Sequence, residues 1–120
     1  MVIHNYDGLD NIYYLDIFEK ELRKIKKDNP NYSKWLDRKI KILSRDAAGA
    51  TDGKTFEKLS GQQLYSIRHP SKNNERVIYY IIDDDNSVIL LTAFCERNKS
   101  DYQHSIAISK QRLKALETEL

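Results

Sequence analysis

The chain has 120 residues, enough for one domain with a core of its own and no need of a metal or disulfide staple. Hydrophobic residues make up 40% and charged residues 32%, and the formal net charge of +2 does not by itself announce a nucleic-acid binder. One cysteine, Cys95, excludes an intrachain disulfide framework, and no apolar run approaches the ~20 residues that span a bilayer, so a cytoplasmic protein is expected.

Residues 1 to 11 give mixed signals: Val2 to His4 suits a short strand, and Tyr6-Asp7-Gly8 reads as a turn. From Asp16 to Lys27 the apolar residues Leu15, Phe18, Leu22 and Ile25 recur at helical spacing, and Asp28-Asn29-Pro30-Asn31 stops that helix. A second helix is predicted over Ser33 to Asp46, with Tyr32, Leu36, Ile40 and Leu43 as its apolar stripe. Charge is uneven: Lys20 to Arg45 holds ten Lys or Arg and only three acids, which describes either a solvated face or a binding surface. Asp46 to Lys54 is loop.

The period then changes from helix to strand. Leu64 to Arg68, Arg76 to Ile82 and Ser87 to Phe94 are rich in β-branched and aromatic residues, and Asp83-Asp84-Asp85-Asn86 supplies turn chemistry between the last two. Those two strands are apolar on both faces and belong at the centre of a sheet. Ser100 to Gln103 matches a Ser-x-x-Gln capping box, opening a final helix that carries Tyr102, Ile106, Leu113 and Leu116 toward the core. The expected fold is a single α+β domain over 1–120: two N-terminal helices on an antiparallel sheet of three to five strands, closed by a C-terminal helix.

Folding this meander places Arg76 opposite Phe94 and Arg68 opposite Arg76. Arg68, Arg76 and Arg97 then gather at one end of the sheet, with Lys99 at the start of the last helix. Like charges across strands cost stability unless water screens them or an anion binds there. Arginine forks suit phosphate oxygens, and helix N-terminal amides add to them. Metal-free RNA cleavage needs a group to take the 2′-OH proton, cations for the developing phosphorane and an acid for the leaving oxygen. Tyr65, Tyr102, His69, His104 and Lys58 are candidate proton carriers. The histidines His4, His69 and His104 lie in no metal-ligand spacing, so no metal or cofactor is expected.

The ordered set "FEKLSGQQLYSIR", "RVIYYI" and "VILLTAFCERNKSDY" resembles the RelE/ParE superfamily of type II toxins, most closely its HigB, or phage Gp49-like, branch. The similarity covers about Phe56 to Leu116, and the helical half more loosely. It implies a RelE-like fold and a ribosome-dependent mRNA endonuclease that stops translation. It also implies a cognate antitoxin, helix-turn-helix and HigA-like, that alone mediates operator DNA contact, with no membrane partner. By position the family's active residues fall on Arg68, Arg76, Arg97 or Lys99, and Tyr102. Read from the residues themselves, Lys58, Lys99, His69 and His104 are the expected RNA-binding positions. The chain departs at Ser66, where RelE has a lysine. The ParE branch, which keeps the fold but poisons DNA gyrase, is the alternative, and a non-enzymatic module binding an acidic partner through the basic helices is a third reading.

Overall fold

A computed structural model describes residues 2–50, 52–59, 61, 63–82 and 86–119. Strands β1 (Ile3–Tyr6) and β2 (Leu9–Leu15) come first, then helices α1 (Asp16–Asp28) and α2 (Tyr32–Arg45). Strands β3 (Phe56–Lys58), β4 (Tyr65–Arg68), β5 (Glu75–Ile82) and β6 (Ser87–Cys95) follow, and α3 (Lys99–Glu119) ends the chain. The six strands form one sheet in the order β1-β2-β6-β5-β4-β3. β5 and β6 are therefore interior, which is why each reads as a nearly unbroken apolar run.

The chain is α+β, but the sheet differs from the expected one in two respects. It has six strands, and it is mixed, because β2 runs parallel to β6 while the other pairs are antiparallel. The two helices thus follow a β-hairpin and do not begin the chain. Leu9–Leu15 was not evident as a strand because Asp10, Asn11, Tyr13 and Tyr14 break any clean alternation. Its turn does carry the signal, since Asp7 and Gly8 both have positive φ, at 37° and 76°. The aspartate turn expected at 83–85 lies outside the described residues.

Strand alternation divides the sheet into two faces. One face presents Ile67, Val77, Tyr79, Val88 and Leu90 to Phe18 and Leu22 of α1 and to Leu36, Ile40 and Leu43 of α2, all buried. This is the main core, and truncating Leu36 or Ile40 to alanine should cost about 2–5 kcal/mol. The other face presents Ser66, Ile78 and Thr92 toward α3, where Ser105, Ser109 and Leu116 are buried. The Thr92 and Ser109 hydroxyls share a hydrogen bond of 2.6 Å, so part of this second interface is polar and satisfied.

Helix ends are closed by asparagines. Asn86 donates to the carbonyls of Ser44 and Arg45 at the end of α2 and accepts from the Ala47 amide at 2.8 Å. Asn98 is the N-cap of α3: its Oδ1 accepts from the Asp101 amide at 3.1 Å while the Asp101 carboxylate accepts from the Asn98 amide at 3.3 Å. The capping box is thus Asn98–Asp101, two residues before the expected Ser100–Gln103 pair, because a carboxylate at the third helical position returns the bond more strongly than an amide.

Candidate functional site

The register of β4 and β5 puts Arg68 directly opposite Arg76, and that of β5 and β6 puts Arg76 opposite Phe94. With Ser66 two residues from Arg68 and Glu57 opposite Ser66, these side chains share the α3 face of the sheet. Tyr102 closes the group from above: its ring meets Phe94 edge-on at 6.0 Å. Arg68, Arg76 and Tyr102 are therefore brought together by three elements.

Neither arginine is left unpaired. Arg68 Nη1 donates to Glu57 at 2.7 Å, a half-exposed pair. Arg76 has 6% of its side chain exposed and donates through Nε and Nη2 to Glu96 at 3.3 and 3.0 Å. Each carboxylate offsets the repulsion between the two guanidinium groups, and an anion entering the site would compete with both. Glu57 and Glu96 were not singled out in the sequence; the only hint was an acid beside each basic strand end.

The Tyr102 phenol has its pKa raised, first by burial and further by Glu57 and Glu96, while Ser66 and Arg76 pull it down. The Ser66 hydroxyl is fully buried and makes no well-formed hydrogen bond of its own, yet it faces the phenol closely enough to act on it. Tyr102 is thus protonated at neutral pH and can donate. Beside the group, a cleft of about 480 Å³ is lined by Lys54, Thr55, Arg68, Asn74 and Arg76. Its donors come from the loop before β3, from β4 and β5 and from the connection between them.

The remaining expected residues lie apart from this group. Arg97 lines a different cleft of about 570 Å³, with Lys24, Asp28, Lys72 and Cys95. The same placement is felt by the Cys95 thiol, which burial and Glu75 push up and Arg97 draws down. Both Glu96 and Arg97 lie in the connection after β6 ends at Cys95; Glu96 pairs with Arg76 yet also lines the Arg97 cleft, so it stands between the two groups. Asn74 lines both clefts, so the two adjoin over the β4–β5 connection.

His69 is on the helix side of the sheet. Its ring packs on Trp35 at 4.3 Å and on Tyr32 at 5.3 Å, and its Nδ1 lies 2.9 Å from Glu75. Glu75 is fully buried and also accepts from Ser71 and Asn29. Burial alone would raise its pKa, but the bonds from Ser71, His69 and Asn29 outweigh it and lower the value. This network holds the β4–β5 connection in place and thereby aligns Arg68 with Arg76. Lys58 alternates away from Glu57 and lines a separate recess with Gln63, Tyr65 and Tyr80. His104 is exposed, and at two residues beyond Tyr102 it points to the opposite side of α3. Lys99 is exposed and sits one turn before Tyr102 on the same helix side.

Among the described residues no cluster of three or more His, Cys, Asp or Glu is arranged to hold a metal ion. No described helix is long and apolar enough to cross a membrane. No protein-family model matches the chain, and no curated protein matches it.

Proposed function

We propose that the protein is a toxin of a type II toxin–antitoxin system, of RelE-like fold and HigB-like kind, that acts in the cytoplasm as a ribosome-dependent mRNA endoribonuclease. The observation that carries this reading is the pairing of Arg68 with Arg76 across β4 and β5 beneath the Tyr102 phenol. Two guanidinium groups on adjacent strands can hold one phosphodiester through several N–H donors and stabilise the charge that builds on it. Tyr102, kept protonated by its surroundings, supplies a proton to the leaving 5′ oxygen. The carboxylates of Glu57 and Glu96 share the face and are the candidates for removing the 2′-OH proton once phosphate has taken their arginines. Lys99 extends the positive surface toward the flanking backbone. The partners of this reading are mRNA on the ribosome and a cognate HigA-like antitoxin, through which alone operator DNA is bound.

A second reading has its own support. Arg76 is nearly buried and satisfied by Glu96, as a structural arginine would be, which suits a ParE-like toxin that poisons gyrase without cutting RNA. Inducing the gene and mapping mRNA ends on translating ribosomes separates the two. Cleaved ends that vanish in Arg76→Ala and Arg76→Lys variants, both still folded and still bound by the antitoxin, support the nuclease. A fall of ~10²-fold or more in cleavage is expected for loss of one such charge donor. An Arg76→Ala protein as toxic as the wild type removes the assignment.

A further inference from the structure

At the far side of the sheet from Arg76, a further recess opens on the helix face where β1 and β2 meet α1 and α2. It measures about 320 Å³ and is lined by Tyr6, Asp7, Tyr14, Phe18, Glu19, Lys26 and Asp37, with Leu22 beneath. The aromatic walls stand nearly perpendicular to one another. Tyr6 meets Tyr14 at 6.1 Å and 83°, and Tyr14 meets Phe18 at 6.2 Å and 77°. His4 stacks behind Tyr14 at 5.1 Å and holds it upright.

Three carboxylates and one lysine line the recess, which leaves it acidic in a chain whose net charge is positive; Asp37 accepts from the Tyr6 hydroxyl, and Glu19 also pairs with the exposed Arg23 at 3.2 Å. The phenols feel that field: burial raises the pKa of Tyr6, and Asp37 and Asp7 raise it further, while burial and then Glu19 raise that of Tyr14. Electron-rich ring faces beneath carboxylates attract an organic cation. Lys26 lines the recess but stands over none of its rings; among the described residues the one cation seated over a ring is Lys39, over Trp35 at 5.5 Å. Carboxylates that can accept hydrogen bonds favour a planar guanidinium over a quaternary ammonium, which has nothing to donate.

The edge beside the recess indicates how such a group arrives. β1 is the outermost strand, and its outer edge has no partner among the described residues. It carries no lysine and no proline; its one aliphatic side chain, Ile3, is 42% exposed, and Val2 just before it 57%. Sheet edges are normally blunted by charge, proline, shortness or a bulge; β3 has three residues and Lys58, whereas β1 has four residues and a register irregularity at Asn5/Tyr6 but no charge along it. An extended segment added to β1 would direct alternate side chains over the face that holds Tyr6 and Tyr14. We propose that β1 accepts an extended segment of a partner protein as a seventh strand, and that an arginine of that segment enters the Tyr6–Tyr14–Phe18 recess. A second copy of this chain cannot serve, since its own β1 offers Ile3, His4, Asn5 and Tyr6 and no arginine. The proposal is independent of the nuclease reading.

The test uses the full chain in NMR titrations with a capped Val-Arg-Val peptide, its citrulline counterpart and free arginine amide. The arginine peptide is expected to shift the Tyr6 and Tyr14 ring signals, to slow hydrogen exchange of β1 amides, and to bind about tenfold more tightly than the citrulline peptide, one decade of affinity. Glu19→Gln, which gives up only an exposed i,i+4 pair with Arg23, and Tyr14→Leu should each reduce that preference to less than about threefold. Equal binding of the two peptides, or silence of both tyrosine rings, overturns the proposal. So does a response to free arginine amide as strong as to the peptide with no β1 protection, which would make the recess a small-molecule site. Concentration-dependent protection of β1 in the absence of peptide would assign the edge to a second copy and overturn it as well.

Discussion

Arg112 on α3 and Glu21 on α1, 91 residues apart, form a two-pronged ion pair at 2.8 and 3.0 Å across the open edge of β6. β2 stops pairing with β6 at Tyr14 and Leu90, and the next residue, Leu91, is the extra residue of a bulge opposite β5. Beyond that point Glu21 accepts from the Ala93 amide at 3.2 Å and Arg112 donates to the Leu91 carbonyl at 2.7 Å. The pair occupies the place of the missing strand and ties the helices of the two faces to each other. Buried backbone groups are thereby satisfied without further sheet.

Arg112→Met should therefore destabilise the protein by about 2 kcal/mol, less than the ~3–5 of a fully buried pair, because Glu21 is a quarter exposed. Chemical denaturation of the two single variants and of Arg112→Met with Glu21→Gln gives a cycle. The coupling energy should exceed ~1 kcal/mol, since the groups share partners on β6.

Glu96→Gln frees Arg76 from its carboxylate without removing the arginine. Binding of single-stranded RNA should tighten, and the log–log salt slope should steepen by about 0.7, one additional phosphate contact. Filter binding across salt concentrations measures both. An unchanged slope would mean that Arg76 faces no phosphate. If Glu96 also serves as the base, cleavage falls while binding improves.

Alkali should unfold the protein earlier than its core would suggest. Burial is the first cause in raising the pKa of Tyr6, Tyr32, Tyr79 and Tyr102 above the ordinary 10.0. A raised folded-state value gives stability that is complete below pH 10 and is lost as pH climbs through the folded values, because the unfolded chain ionises first. Thermal melts between neutral pH and pH 11 should show the midpoint falling from about pH 10 upward. Tyr79→Phe, which removes a buried hydroxyl with no hydrogen bond, should flatten that fall.

The Glu75 network gives the opposite dependence. Its pKa lies below the ordinary 4.5, so the carboxylate stabilises the fold above that pH and the contribution is lost as pH falls through the lowered value. Glu75→Gln should be less stable than the wild type at pH 7, and the gap should narrow on acidification below about pH 4.5. Denaturant midpoints at both pH values provide the measurement. A gap that stays constant would assign the loss to packing around Trp35 and His69.

The Arg68–Arg76–Phe94 alignment was legible in the sequence because hairpin register follows from turn position and a strong apolar pattern, both of which are local. The same holds for α1, α2 and the interior placement of β5 and β6, whose periodicities match the observed elements to within a residue or two. The placement of Arg97 was not legible: it follows Glu96 directly, but both lie past the end of β6 at Cys95, in the connection to α3, where no strand alternation fixes which way a side chain turns. Strand β2, its parallel pairing with β6, the Glu21–Arg112 pair and the recess at Tyr14 depend on contacts between segments distant in the chain. Local propensity carries no information about which distant partner a strand finds. That choice is made by burial of the whole sheet, and only the assembled tertiary structure records it.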